Sequence, residues 1–493
     1  MSLFQRYVTV EPALFLFMFA AFMSYPLMYE LVMKRVCDEH NCTISSDLPK
    51  NSSSHGCPHV PSAIKSRVIH ETSLWILYIN IANSLPSIMA ALATGAWSDR
   101  VGRKVVMSFP AVGLSVNAFF VLLVWYLHLP LEVLFAGQIL SGFMGGYGTF
   151  NLGMFAYMSD ITSTAYRTTR IGILESMIFL GGMLGNIIGG LWVRSGNFAP
   201  AFWCIFACGI AVLLYVNVIV RESRPKRRWS YQQHKCKAFF RCNNLVKAFS
   251  LFVRFQYPYW PLVLAISVFV LVSINFAGII DVVTLYVFDW PLCWSSKQLG
   301  YFLASKMGMN GVAILLFLPL LKKVGLSDLA VINIGLVSGV ASLILMGLAS
   351  HAWMMYLVPV VGALRGSVVP SLRSLMSKMV NENDHGALFA AVACFEVSCS
   401  LLATIIFNNM YPATNHLLTP HGVCFFFMSG MLVIAMIVTI VLRQGWYSSG
   451  DDSLPERFNV NADYDTLGDQ DGNVRKSSTS DSVSCMSSNV IRV

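Results

Sequence analysis

The sequence predicts an all-α membrane protein: twelve transmembrane helices in two pseudo-symmetric six-helix bundles. Three observations carry that expectation. Of the 493 residues, 56% are hydrophobic and 12% charged, about half the charged share of an ordinary soluble domain. Twelve apolar runs are long enough to cross a hydrocarbon core that takes about 20 helical residues. A charged hairpin, GAWSDRVGRK (95–104), returns in degraded form six runs later as KKVGLSD (322–328), so chemistry and position repeat with a six-helix period.

Span 1 (12–33) follows only Arg6 and shows no small-residue cleavage pattern, so it is expected to stay as a signal anchor. The loop at 34–72 holds two glycosylation sequons, at Asn41 and Asn51, and three cysteines, Cys37, Cys42 and Cys57. Sequons and disulfides both belong to the outer compartment. Spans 2 (73–97) and 3 (105–127) flank the charged hairpin, which then lies inside. Span 4 covers 131–158. Span 5 (171–193) carries GGMLGNIIGG, whose Gly181, Gly185 and Gly189 form a close-packing stripe that could also slide. Span 6 (199–220) closes an N-terminal bundle, 1–220. A basic stretch, 221–258, beginning RESRPKRRWSYQQHKCK, suits a linker lying on an anionic inner leaflet. Its Cys236 and Cys242 lack zinc-ligand spacing. Spans 7 to 12 (259–283, 299–321, 328–348, 353–374, 386–407 and 419–442) form a C-terminal bundle, 259–442. The tail, 443–493, is Ser-rich and expected to be disordered. It contains YDTL, Tyr464 to Leu467, a pattern of the kind read by endosomal sorting adaptors.

With the N-terminus inside, seven of the 34 Lys and Arg fall outside: Lys34, Arg35, Lys50, Lys65, Arg67, Arg194 and Lys297. Lys306 and Arg365 fall deep within spans, and the other 25 lie inside, with Arg373 at the inner end of span 10. That bias fits the positive-inside rule, although Lys34 and Arg35 run against it locally. The net charge of +9 therefore records topology and not a nucleic-acid partner. Both termini are expected in the cytoplasm. No histidine falls deep within a predicted span; His421 stands at the outer edge of span 12. Eight of the ten, His40, His55, His59, His70, His128, His351, His416 and His421, lie on the outer side, where histidine charge could respond to an acidic compartment.

The hairpin carries more than charge. Gly95 and Gly102 permit close packing and a sharp turn, Asp99 can cap a helix or pair with a cation, and Arg100, Arg103 and Lys104 can anchor at the inner leaflet. The pattern resembles the signature G-x-x-x-D-R-x-G-R-K/R of the major facilitator superfamily. The resemblance implies that fold and a latch on the inner gate. VEPALFLFMFA, SDITSTAYRTTRIGILE (159–175), DVVTLYVFDWPLCW (281–294) and PSLRSLMSKMV…HGALFA (370–390) are similar to the family that contains the proton-coupled folate transporter and related lysosomal members. The likeness runs from span 1 to span 11.

Charge within lipid costs about 2.5–3.5 kcal/mol per residue at the centre of a span, so each such residue asks for a reason. Glu175 lies about one turn into span 5, as an interfacial residue or a proton carrier. The resemblance implies the second, and it gives Arg373 a part in proton and substrate handling, where a positive-inside anchor is the plainer reading. Arg365 lies deeper on the same helix and can grip a carboxylate or phosphate by two hydrogen bonds. Asp281 is either interfacial or part of an outer gate. Glu396 either pairs with a cation such as Arg365 or Lys306 or forms a second proton site. Asp160 and Arg170 match charged family positions and make a gate pair or a plain loop. Cys57 and Cys293 match two outer cysteines of the family that can bridge the halves; a free thiol or a Cys37–Cys42 bridge is the alternative. Two positions depart from the family, Asn275 for a histidine and Gly146 for an aspartate, and they weaken the case for folate itself.

The expected function is secondary active transport of an organic anion or folate-like solute by alternating access, coupled to a proton gradient, with no cofactor and no metal. The phosphate-cradling pattern G-x-x-x-x-G-K-[ST] is absent, and no nucleophile constellation suggests an enzyme. Two alternatives stand beside it: a lysosomal exporter of breakdown products, and a receptor or scaffold that keeps the fold without transporting. The expected location is the plasma or lysosomal membrane.

Overall fold

The computed structural model describes residues 9–39, 63–193, 197–223, 260–288, 292, 294, 296–380, 385–414 and 422–448. All fall in a unit spanning Met1–Gly450; a second unit, Asp451–Val493, lies outside them, as do Asn41, Asn51, Cys42, Cys57, Cys293 and the Tyr464–Leu467 pattern. Cys37 is disulfide-bonded, to a residue outside the described set.

Every regular element among the described residues is helical. The first six spans are α1 (Glu11–Glu39), α2 (Ala63–Val101), α3 (Arg103–Tyr126), α4 (Val133–Phe143) with α5 (Gly146–Ile161), α6 (Arg167–Val193) and α7 (Ala199–Val218). The second six are α8 (Trp260–Phe288), α9 (Ser296–Lys323), α10 (Asp328–Gly347), α11 (Ala352–Val361) with a 3-10 turn (Ala363–Ser367) and α12 (Val368–Met379), α13 (His385–Thr414) and α14 (Val423–Ser448). Eleven stretches among the described residues are long and apolar enough to cross a membrane. Span 4, broken in two, is the twelfth. The protein is a multi-pass membrane protein.

That break corrects the continuous span 4 expected from composition, and its cause is local. Gly145 and Gly146 take φ of +96° and +52°, a region that favours glycine, and the helix restarts there. Broken backbone at membrane depth needs partners from neighbouring helices. Here α2 supplies them: Ser87 Oγ donates to the Gly145 carbonyl at 2.7 Å, and Asn83 Nδ2 donates to Gln138 O at 3.2 Å. Span 10 is interrupted at the matching place in the second half, at Gly362 and the 3-10 turn, where Ser338 Oγ donates to Val361 O at 2.6 Å.

Within the first half, Phe17 stacks on Phe150 at 3.9 Å, tying α1 to α5. The glycine stripe of α6 packs on α1: a β-carbon at Gly181, Gly185 or Gly189 would meet the α1 backbone at Phe15, Phe19 and Met23. The stripe is thus a packing surface inside one half. Lys34 lies over the Trp125 ring at 5.4 Å, and Arg35 donates to Val124 O at 3.2 Å. Those contacts hold the two cations that break the charge rule. The halves meet where α6 packs on α9 and α12, and where α13 packs on α2 and α5.

Candidate functional site

The halves meet on a charged centre. Arg373, on α12, sends Nη1 to Glu175 Oε2 on α6 and Nη2 to Glu396 on α13, at 2.9 and 3.0 Å from its two oxygens. Arg373 is 1% exposed and Glu175 5%, so neither sits at an interface with water. The guanidinium carbon lies 4.2 Å from the centre of the Phe155 ring of α5 and 5.8 Å from that of Phe269 of α8. A cation between aromatic faces gains from their quadrupoles. The geometry overturns the surface-anchor reading of Arg373 and the interfacial reading of Glu175. It also corrects the partner of Glu396, which is neither Arg365 nor Lys306. One guanidinium balances one carboxylate, so two carboxylates leave a single negative charge that one proton would cancel.

Arg365 lies apart from this centre, in the 3-10 turn. Its Nη2 donates to Asn275 Oδ1 of α8 at 2.6 Å, and Asn275 Nδ2 donates to Met428 O at 2.6 Å. Lys306 and Arg365 line one cavity in the second half. Asp281, six residues beyond Asn275 on α8, keeps its Oδ2 buried without a hydrogen-bond partner among the described residues.

Both short hairpins lie at one end of the molecule, and each is locked there. Arg103 opens α3 fully buried, with Nε on Asp160 Oδ2 at 2.8 Å and Nη1 on Ser98 Oγ at 2.5 Å. It is therefore not a lipid anchor. Asp160 ends α5 and also meets His385 Nδ1 at 3.4 Å, at the first residue of α13 in the other half. His385 Nε2 lies 3.1 Å from Ser377 O. Helix α13 begins one residue before the predicted span and buries His385 completely, which corrects the expectation of spans free of histidine. The second lock uses Asp328, at the start of α10. It holds Lys322 at 2.5 Å and Lys378 at 2.6 Å, and accepts from Thr168 Oγ1 of the first half at 2.7 Å. Thr168 also meets Ser374 at 2.7 Å, and Arg167 Nη1 donates to Ser377 O at 3.2 Å. Gly95 faces Ala390 and Gly386 across the same seam.

The two locks mirror each other with reversed charge. In the first, the hairpin gives the cation Arg103 and the broken helix the acid Asp160. In the second, the hairpin gives the acid Asp328 and the broken helix the cation Lys378. A family profile described as "Major Facilitator Superfamily" matches residues 13–404. The chain belongs to the major facilitator superfamily. It is 30% identical to the proton-coupled folate transporter of Rattus norvegicus over 442 residues, covering 88% of this chain and 92% of that one. It is 27% identical to the lysosomal proton-coupled steroid conjugate and bile acid symporter of Gallus gallus over 427 residues, covering 83% and 89%. Among solved major facilitator structures, the human organic anion transporter MFSD10 superposes with a TM-score of 0.64 at 16% identity, covering 87% and 98%. The E. coli fucose:proton symporter superposes at 0.61 and 10%, covering 87% and 96%. These two share the fold.

The remaining superfamily positions fall as follows. Asp99 and Arg100 stand on the last turns of α2, with side chains outside the described set. Gly102 takes φ +115° between α2 and α3. Lys104 Nζ donates to Asn217 O at 2.8 Å. Asp160 meets Arg103 and His385, and Arg170 meets Glu11 at 3.1 Å. Glu222, in the basic stretch, caps α3 by accepting from the Arg103 and Lys104 amides at 2.7 and 3.3 Å. Sequence reasoning missed Glu222, Glu11, Thr168, Asp328, Lys378 and His385 as site residues. Each stood inside a stretch the sequence singled out, Asp328 in KKVGLSD, Glu11 in VEPALFLFMFA and Lys378 and His385 in PSLRSLMSKMV…HGALFA, but none of those stretches said what the side chain would meet.

Proposed function

We propose that the protein is a secondary active transporter that moves an organic anion by alternating access, driven by a proton gradient, and is not an enzyme. The observation that carries this reading is the Glu175–Arg373–Glu396 group, which ties the two halves together beside both broken helices. Interrupted helices at matching places in two repeats mark the substrate region of such proteins. A proton on Glu175 removes the charge that holds Arg373 to the first half. The guanidinium is then free for an anion, and the centre can part. Deprotonation restores the tie. The relatives' names, a folate transporter and a steroid conjugate and bile acid symporter, both proton-coupled, support the same chemistry.

Uptake of labelled folate and a panel of organic anions into cells displaying the protein, at acidic and neutral pH, tests this. Acid-stimulated uptake that disappears in Glu175→Gln and Arg373→Ala is expected. No uptake of any solute despite surface expression would overturn it. We place the protein in the plasma or lysosomal membrane with both termini cytoplasmic, Asn41 and Asn51 glycosylated, and Tyr464 read by sorting adaptors. The lysosomal relative favours export as the second reading. Imaging tagged protein with and without Tyr464→Ala separates the two locations.

A further inference from the structure

His385 is the histidine of the first lock, and the second lock has none. Histidine ordinarily changes charge between about pH 5 and 8, where arginine and lysine stay charged. The side chain is completely buried, and both ring nitrogens have a partner. Nδ1 lies 3.4 Å from Asp160 Oδ1, and Nε2 lies 3.1 Å from Ser377 O. Asp160 also accepts from Arg103 Nε and from Ser223 Oγ, as a carboxylate does. Ser377 O is a backbone carbonyl, so both partners of the ring can only accept. A neutral imidazole has one N–H and one bare lone pair. Whichever nitrogen kept the proton, the other would turn its lone pair on an oxygen, out of reach of solvent. The imidazolium, with two N–H groups, satisfies both contacts.

The surroundings favour that cation. Ser377 lies in the last turn of α12, where carbonyls lack helical partners and the helix end attracts positive charge. Glu222, on the amides that open α3, brings a second acid to the lock. Arg103 shares Asp160 with the ring, and Arg167 Nη1 shares Ser377 O at 3.2 Å. Lys378 is turned to Asp328 at 2.6 Å. The first turns of α8, from Trp260, carry no ionisable side chain, and Arg443 of α14 is exposed. Asp99 and Arg100 of α2 have side chains outside the described set, and Glu382 and Asp384, just before His385, lie outside it altogether. The second lock supports the same assignment independently. There Asp328 stands between two cations, Lys322 and Lys378. A charged His385 puts Asp160 in the same position, between Arg103 and the imidazolium. Of the four cations, one can lose its charge.

His385 and Ser377 belong to the second half, and Asp160 to the first. Opening the seam takes Asp160 away from the ring and leaves it the carbonyl, which a neutral imidazole satisfies with its single N–H. We infer that His385 is a proton-binding site of the seam: closure takes up a proton there, and opening releases it. The closed form then holds more protons than the open form, so falling pH on that side favours closure and rising pH favours opening. This deepens the transport reading and takes from it the placing of the hairpins in the cytoplasm. An acidic cytoplasm keeps the inner seam shut, so a carrier that brings protons inward slows itself as they accumulate. The site is separate from the Glu175–Arg373–Glu396 group and needs no solute.

The test uses purified full-length protein with a cysteine placed at Ser374, on the same seam. Its labelling by a membrane-impermeant thiol reagent reports how often the seam opens. Rates with and without a change at His385 are compared at the same pH, so the reagent's own pH dependence cancels. With His385 in place, labelling at about pH 6 is expected to be about tenfold slower than in His385→Gln, and the ratio falls toward one by about pH 8. His385→Lys, a fixed cation, brackets the other side: it matches His385 at the lower pH and labels more slowly than His385 at the higher. Either variant suffices if the other fails to fold. A merely structural histidine would shift both rates by one factor at every pH, so ratios that do not change with pH overturn the site. Solute uptake together with constant ratios overturns the site and leaves the transport reading. Ratios that change as expected, in a protein that moves no solute, do the reverse.

Discussion

Arg373 is the side chain on which most of the centre depends. It is buried, it faces two aromatic rings, and it meets one carboxylate from each half of the protein. Arg373→Ala leaves the buried Glu175 and the half-buried Glu396 without their cation, and breaking a buried pair costs about 3–5 kcal/mol. Thermal unfolding in detergent should show the loss, together with abolished uptake. Glu175→Gln behaves differently. It mimics the protonated acid, so folding persists while the ratio of acidic to neutral uptake falls toward one. Glu396→Gln removes the unbalanced charge and leaves the tie between halves; uptake should persist with an altered pH profile. The sequence made each of these residues visible as a charge inside an apolar run. It could not show that they meet. Glu175 and Arg373 are 198 positions apart, and composition does not say how one helix is rotated against another. For the same reason the sequence left Glu396 open between a cation such as Arg365 or Lys306 and a second proton site.

At the scale of the helix, the interruptions matter most. The glycine pair at 145–146 was in plain view, but an apolar run of sufficient length hides a break, since hydropathy averages over it. Span 10 hid its 3-10 turn in the same way. The locks at the hairpin end were half legible. KKVGLSD announced a tight turn, yet nothing local said that Asp328 would bind Lys378, which is 50 positions away. Each lock joins four helices, so removing one member should loosen that end. Asp328→Lys is expected to raise the labelling of a cysteine placed at Ser374 by a membrane-impermeant reagent. Asp328→Lys with Lys378→Asp should restore protection, and failure of that rescue would argue against a direct pair. Gly95→Val acts on the seam itself. Its side chain would run into Ala390 and the Gly386 backbone, so the halves could no longer close there. The same cysteine should then label constitutively, with uptake strongly reduced.

For the molecule as a whole, both locks lie at one end, while the central group sits where the halves cross. Span 4 continues past its break as α5, which carries Phe155 and, five residues on, Asp160. Span 10 continues as α12, which carries Arg373 and, five residues on, Lys378. Five helical residues cover about 7.5 Å. Each of these rods therefore reaches the central group near its middle, through Phe155 or Arg373, and carries a bolt at its end, with only stiff helix between. News of a proton or an anion need not travel through side chains at all; tilting the rod delivers it. A rod with slack would separate the two events. Leu375→Gly, set between Arg373 and Lys378, touches neither the central group nor the bolt. It should leave substrate affinity nearly intact while turnover falls, as a crank does when its shaft is cut and rejoined with cord.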